Sequence, residues 1–302
     1  MISEKNIKTL RLQLVRSNKC NLNCFYCCKE GCDTSFSVLN DENVINIIKT
    51  AKEMLDVKRV KYTGGEPLLY GQSIINIIDK IDKEYRDNNY ILQSIVTNGT
   101  FTDTIKSLID KKYNLDWTIS LPTLNPETFK KITGHDSQKL RNILNSIDYI
   151  CKNDVPLKIN CVLIKGINTL DGEINRIIDE FKNKSNVKLR FLNLIDNRVT
   201  QLEQKYLLQD SDFNILMNNL GFTKDIEKES RSTSIYKKNE TTIKLIKFFC
   251  NNSCNECPED KTSLWVTSEG EMKKCSFDNM VSHRISNWTY KGLCDELKDF
   301  YL

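Results

Sequence analysis

The stretch Arg16-Ser17-Asn18-Lys19-Cys20-Asn21-Leu22-Asn23-Cys24-Phe25-Tyr26-Cys27-Cys28-Lys29-Glu30-Gly31-Cys32 decides how the rest of the chain is read. Cys20, Cys24 and Cys27 form a C-x3-C-x2-C array, with an aromatic residue, Tyr26, just before the third cysteine. Three thiolates on one short loop can hold three irons of a cubane cluster. The fourth iron is then left without a protein ligand, and an open coordination position is what a metal needs to bind and activate something. The same thiols also suit a zinc site completed by a distant ligand, or no metal at all. Zinc loops usually pair C-x2-C twice or add histidines. The two histidines of this chain, His135 and His283, both lie far from the loop in sequence.

Working outward, residues 9–15 alternate apolar and polar like a strand and run straight into the cysteine loop. Asn40 or Asp41 can cap a helix over 42–55, with Val44, Ile45, Ile47 and Ile48 on one stripe. Strands are then predicted over 58–63, 90–96, 116–121, 157–163 and 187–194. Helices are predicted between them over 73–85, 103–111, 137–152 and 172–182, with a short one opened by Pro126. Six β–α repeats with short connections imply a parallel sheet with right-handed crossovers. No Gly-x-Gly-x-x-Gly follows the first strand, which favours a barrel or partial barrel over a dinucleotide-binding sheet. The cysteine loop, Gly64-Gly65-Glu66-Pro67, Thr97-Asn98-Gly99, Ser120 and Asn160 all fall at or near carboxyl ends of successive strands, and Arg190 lies on the sixth. That is the face where parallel barrels place active sites.

The 302 residues carry 39% hydrophobic and 28% charged side chains, a net charge of +4 and a mean hydropathy of −0.44. This is enough for a barrel with an appendage, and too mildly basic to argue for a nucleic-acid surface. No apolar run resembles a signal peptide or a membrane span, so a cytoplasmic protein is expected. Of twelve cysteines, five lie within 20–32 and four within 250–275. Two such groups without an export signal point to two metal sites rather than disulfides.

After about residue 197 the pattern changes. Short helical stretches over 199–220 precede a polar segment, 223–240, that reads as a loop-rich connection. Residues 241–249 read as a strand or an apolar approach to the second cysteine group. A hairpin over 263–276 turns at Ser268-Glu269-Gly270-Glu271, and a helix over 291–300 closes the pattern. Cys254 and Cys257 form a C-x2-C, Cys275 follows the hairpin, and Cys250 is a possible fourth ligand. These thiols suit a second iron–sulfur cluster or a zinc knuckle. No function is assigned to Cys28 or Cys32.

Thr63-Gly64-Gly65-Glu66-Pro67-Leu68-Leu69, in register after the C-x3-C-x2-C loop, resembles the glycine motif of the radical S-adenosylmethionine (SAM) enzymes, as the loop resembles their cluster loop. Within that superfamily the chain is most similar to the GTP 3′,8-cyclase family of molybdenum cofactor biosynthesis and related enzymes with an auxiliary cluster. The similarity rests on Leu10-Arg11-Leu12, Ile119-Ser120-Leu121, Leu124-Asn125-Pro126-Glu127-Thr128-Phe129, Ile132-Thr133-Gly134, Lys158-Ile159-Asn160, Lys165-Gly166-Ile167-Asn168 and Leu189-Arg190-Phe191. It departs at Pro258-Glu259-Asp260-Lys261-Thr262-Ser263, where the cyclases carry an arginine-containing run after the second C-x2-C. It departs again at Pro122, where they have Asp, and at Arg16-Ser17-Asn18-Lys19, where they have Thr-Asp-Arg. The cyclases also end in a Gly-Gly tail, where this sequence reads Asp299-Phe300-Tyr301-Leu302.

The resemblance implies a partial (β/α)6 TIM-type barrel over 1–197 and a small C-terminal α+β extension over 198–302. Cys20, Cys24 and Cys27 would bind a catalytic [4Fe–4S] cluster, and Cys254, Cys257 and Cys275, with Cys250 possible, a second one. Gly64, Gly65, Glu66, Thr97, Ser120 and Lys158 would position SAM, while Arg11, Lys61 and Arg190 would bind an anionic substrate. The expected reaction begins with reductive cleavage of SAM and hydrogen abstraction, and ends in cyclisation, rearrangement or oxidation in the maturation of a peptide or small molecule; the alternative is GTP 3′,8-cyclisation. The expected partners are a small-molecule or peptide substrate and an electron donor such as flavodoxin or ferredoxin, with no membrane and no nucleic acid. The reading from another class is a non-catalytic iron–sulfur or zinc protein.

Overall fold

The computed structural model describes residues 7–15, 19–27, 39–86, 90–170, 172–194, 204–230, 232–247, 262–275 and 282–301. Cys28, Cys32, Cys250, Cys254 and Cys257 lie outside them. Six strands run parallel and in sequence order: β1 (Thr9–Val15), β2 (Arg59–Gly64), β3 (Leu92–Thr97), β4 (Leu115–Ser120), β5 (Leu157–Leu163) and β6 (Val187–Asn193). Between them lie α1 (Asp41–Leu55), α2 (Gln72–Tyr85), α3 (Thr102–Asp110), α4 (Pro126–Thr133), α5 (Ser137–Lys152) and α6 (Glu173–Phe181). The six predicted repeats are present, with ends shifted by two residues at most.

Local chemistry sets the helix starts. The Asn40 side chain accepts from the Asn43 amide at 2.8 Å, Asn125 accepts from Glu127 and Thr128 ahead of Pro126, and Asp136 accepts from Gln138. Each helix then buries one apolar stripe, such as Val44, Ile47, Ile48 and Leu55 of α1 or Ile74, Ile77, Ile78 and Ile81 of α2. With Trp117, Phe129 and Phe191 they form one core between sheet and helices.

The sheet is open but curled. Laid flat, β1 and β6 would lie roughly 24 Å apart, five strand spacings. Yet Arg11 on β1 is close enough to Arg190 on β6 for their charges to disfavour one another. The fold is a partial TIM-type barrel, and the alternate strand residues 11, 61, 94, 116, 158 and 190 share its inner face.

Later strands extend both edges of this sheet, whose order is β12-β11-β10-β1-β2-β3-β4-β5-β6-β9-β8-β7. Beyond β6 lie β9 (Thr241–Ile246), β8 (Thr233–Lys238) and β7 (Thr223–Lys224); α7 (Asp210–Asn219) precedes them. Beyond β1 lie β10 (Ser263–Val266), β11 (Glu271–Lys273) and β12 (Ser282–Arg284). The predicted hairpin forms as β10 and β11, and β10 also pairs in parallel with β1.

The segment 223–240 is not loop-rich: it holds β7 and β8. A strand with one solvated face needs few apolar residues. Here Ser234 and Tyr236 face the core, Lys237 and Lys238 face water, and Asn239 turns the chain with φ 51°. The last helix, α8 (Tyr290–Tyr301), packs on α1, where the Asn46 amide donates to the Trp288 carbonyl and the Tyr290 hydroxyl to Glu53. Among the described residues no helix is long and apolar enough to cross a membrane.

Candidate active site

The cysteine loop sits over the carboxyl ends of the strands and is docked by its backbone. The Asn23 and Phe25 amides donate to Thr133 and Ile132 at the end of α4, and the Cys27 amide donates back to Cys24 at 3.0 Å. Tyr26 packs among Ile132, Ile164 and Leu194, and Phe25 lies against Tyr206 with ring centroids 5.6 Å apart. Burial, and then the neighbouring Cys27 and Cys20 thiols, push the Cys24 thiol up to about 12. Cys20 and Cys27 are therefore near enough for their charges to act on Cys24. Among the described residues, though, no three Cys, His, Asp or Glu side chains converge on a single ion position. A cubane gives each thiolate its own iron, so it needs neighbouring sulfurs rather than a common point. Three neighbouring thiols are a donor set that fits such a cluster.

Glu66 ties the rim together. It is fully buried, and its Oε1 accepts from the Thr97 hydroxyl at 2.6 Å and the Leu68 amide at 3.1 Å, while Oε2 accepts from the Asn98 amide at 2.7 Å. Burial raises its carboxyl to about 7, against the pull of those three donors. The Glu66 amide donates in turn to the Lys19 carbonyl. Gly64, just before, has φ 129°, a backbone that side chains other than glycine rarely adopt, and pairs with Val15 past an irregularity in β1. The loops after β1, β2 and β3 thus form one connected rim.

Deeper in the barrel the chemistry changes. Arg11, Lys61, Ser94 and Asp116 are register neighbours across β1–β4, and Asn160, Arg190 and Lys244 across β5, β6 and β9. With Arg59 and Lys158 this gathers six cationic side chains. Among the described residues Asp116 Oδ2 pairs with two of them, Lys158 and, at 3.7 Å, Arg59. Arg11 stacks 4.9 Å over the Trp265 ring, and Arg190 donates to Asn160 at 2.9 Å. Burial, and then the charges of Arg11, Arg59, Arg190 and Lys158, lower the Lys61 ammonium to about 7. Burial likewise lowers Lys158, Arg190 and Lys244. Ser94 Oγ and Asp116 Oδ1 are buried without a hydrogen-bond partner. Such groups usually await a ligand or water.

The structure brings together Cys20, Cys24, Cys27, Gly64, Gly65, Glu66 and Thr97 at the rim. The Thr97 hydroxyl is engaged internally, donating to Glu66 and accepting from the Gly99 amide at 3.0 Å. Ser120 ends β4, opposite Asn160. Lys158, expected beside SAM, stands with the deeper cations and pairs with Asp116. Arg11, Lys61 and Arg190 lie near one another on the inner face. Cys275 is half-buried just past β11, and its expected partners Cys250, Cys254 and Cys257 lie outside the described residues. The sequence reading missed Arg59, Asp116 and Lys244, and gave Asn98, within the Thr97-Asn98-Gly99 turn, no role of its own. Period-two spacing from Lys61 and Lys158 would have found Arg59 and, by register, Asp116.

The model of the Radical SAM superfamily matches residues 14–180. The chain belongs to that superfamily. Radical SAM proteins are enzymes built on a [4Fe–4S] cluster and S-adenosylmethionine, so this chain is an enzyme with those cofactors. A probable GTP 3′,8-cyclase of Pyrococcus abyssi is 30% identical over 281 residues, covering 89% of this chain and 84% of that one. The GTP 3′,8-cyclase of Petrotoga mobilis is 28% identical, over 90% and 81%. Among solved structures, Streptococcus suis SuiB bound to precursor peptide SuiA has a TM-score of 0.70 at 16% identity, covering 96% of this chain and 65% of that one. Native anSMEcpe with bound AdoMet has a TM-score of 0.62 at 20% identity, covering 97% and 82%. These structures share the radical SAM fold.

Proposed function

We propose that this radical SAM enzyme abstracts hydrogen from a phosphorylated nucleotide, GTP, and closes a ring on it. The observation that carries this reading is the group of six cations deep in the barrel, of which Asp116 pairs with two. A polyphosphate offers oxygens to which Arg11, Arg59 and Arg190 can each donate. The relatives are named for GTP 3′,8-cyclisation, which points the same way.

In this reading Cys20, Cys24 and Cys27 hold the catalytic cluster. When bound, it supplies one electron for the cleavage of SAM to a 5′-deoxyadenosyl radical. The Gly64 and Gly65 backbone and Ser120 line the SAM site, while Glu66 and Thr97 hold the loops that shape it. Lys61 and Lys158 join the arginines in fixing the phosphates, so that the sugar and base face the rim. Cys254, Cys257 and Cys275, with or without Cys250, carry a second cluster, and residues 1–197 and 198–302 divide these duties. An electron donor such as flavodoxin or ferredoxin reduces the catalytic cluster, in the cytoplasm.

The test is anaerobic reconstitution with iron, sulfide, reductant and SAM, with and without GTP. The expected products are 5′-deoxyadenosine and a cyclised nucleotide that retains the guanine C8 position in a new bond. If 5′-deoxyadenosine forms but GTP is recovered intact under every condition, the substrate assignment is wrong.

A further inference from the structure

Asn98 is the side chain through which the rim touches a cluster thiol. It lies in the Thr97-Asn98-Gly99 turn that ends β3, and that turn has little freedom. Gly99 has φ 77°, and a Cβ there would come within 3.0 Å of the Ile119 side chain. The Asn98 backbone amide is held by Glu66 at 2.7 Å.

Its side-chain amide is oriented by a closed ring of hydrogen bonds. Asn98 Oδ1 accepts from the Thr100 hydroxyl at 2.7 Å and the Thr100 amide at 3.0 Å. The Thr100 hydroxyl oxygen accepts from Asn21 Nδ2 at 2.7 Å, and Asn21 Oδ1 accepts from Asn98 Nδ2 at 2.8 Å. Turning either amide over would set like groups against one another in this ring, so the Asn98 NH2 must face the cysteine loop. The same nitrogen lies 3.5 Å from Cys20 Sγ, which also receives the Leu22 amide at 3.4 Å. No other side chain of the described residues is recorded as donating to Cys20.

We propose that Asn98 is a positioning residue for the catalytic cluster, its side-chain amide donating to Cys20 Sγ and setting the potential at which the cluster accepts its electron. This rests on the reading that Cys20, Cys24 and Cys27 are the cluster ligands. A hydrogen bond to a ligating sulfur stabilises negative charge, and the reduced cluster carries one more. Removing the donor therefore lowers the midpoint potential. The ring through Thr100 and Asn21 keeps the donor aimed while the loop and cluster change charge. Glu66 extends the same framework to the loop that holds SAM, so the potential and the SAM site share one support.

The experiment is a redox titration of reconstituted holoenzyme followed by the electron paramagnetic resonance of the reduced cluster, in wild type, Asn98→Ala and Thr100→Val. Asn98→Ala should keep its iron and show about a tenfold lower ratio of reduced to oxidised cluster at a fixed potential, a 59 mV shift for one electron. Thr100→Val breaks the ring but leaves the amide, so its stability should fall while its midpoint moves much less. An unchanged midpoint in an iron-replete Asn98→Ala overturns the proposal, as does a larger shift in Thr100→Val than in Asn98→Ala. If Asn98→Ala holds no iron, pulsed resonance on wild type decides. An exchangeable proton coupled to the cluster and lost in Asn98→Asp supports the assignment, and the same couplings in both overturn it. If Cys24→Ala retains the full catalytic-cluster signal, the ligand reading itself has failed, which is a different result.

Discussion

The rim and the floor of this barrel are built on opposite principles. At the rim, polar groups are matched: both Glu66 oxygens accept, the Thr97 hydroxyl donates and accepts, and Asn21, Asn98 and Thr100 close a ring. At the floor they are not. Lys61 sits among like charges, and Ser94 Oγ and Asp116 Oδ1 are buried without partners. A satisfied network is rigid and needs nothing further. An unsatisfied cationic pocket costs folding free energy unless something binds there. On the proposed function, the rim is a finished scaffold for a cofactor, whereas the floor is completed by its substrate.

Three changes press on that contrast. The largest effect is expected at the rim. On the proposed assignment Cys24→Ala removes one of three cluster ligands, and 5′-deoxyadenosine formation by the reconstituted protein should fall by about a thousandfold or more, the loss of several kcal/mol of transition-state stabilisation. Iron analysis should show the catalytic cluster missing. Retained activity would mean that the loop is not the ligand loop.

At the floor, Asp116→Asn removes a carboxylate that neutralises Lys158 and Arg59. Affinity for GTP should rise by about threefold to tenfold, on the order of 1 kcal/mol. The melting temperature of the substrate-free protein should drop, because the cations lose their counter-charge. Affinity and stability moving together would break the picture of a floor strained in the absence of ligand.

The smallest effect is a pH dependence. Lys61, lowered to about 7, carries its charge only below that pH in the substrate-free protein. Nucleotide affinity should therefore weaken a few-fold as pH rises from 6 to 8, and binding should take up a proton near pH 7.5. The sign for stability is opposite: between about 7 and the unfolded value near 10.4 the unfolded chain binds more protons, so Lys61 makes the substrate-free fold more stable as pH rises. Lys61→Arg, charged throughout, should flatten both profiles, measured calorimetrically in buffers of different ionisation enthalpy.

Much of this was legible in the sequence because it is local. The β–α repeats follow from apolar periodicity, and the cysteine and glycine motifs fall at strand ends because that is where a chain leaves the sheet. What was not legible is non-local. Residue 263 pairs with residue 9 across the whole chain, and nothing in either strand announces the other. The β8 strand reads as a connection because it buries so little: Tyr236 and Ser234 inward, lysines outward. The floor was half-seen for a similar reason. Arg11, Lys61 and Arg190 matched a family pattern, but Arg59, Asp116 and Lys244 become members only once register places them side by side. Asn98 sits in an ordinary turn sequence, and its partners, 77 and 2 residues away in sequence, are visible only in three dimensions.

The central claim is that the floor is a polyphosphate site beneath a prebuilt cofactor rim. It is tested most directly by equilibrium titration of the anaerobically reconstituted, SAM-loaded protein with GTP, GDP and guanosine at pH 7, in wild type and Arg190→Ala. The account predicts that affinity falls with each phosphate removed, that guanosine does not bind measurably, and that Arg190→Ala weakens GTP by about ten- to a hundredfold, the loss of one charged hydrogen-bonding group. Guanosine binding as tightly as GTP, or GTP binding unchanged in Arg190→Ala, would contradict it.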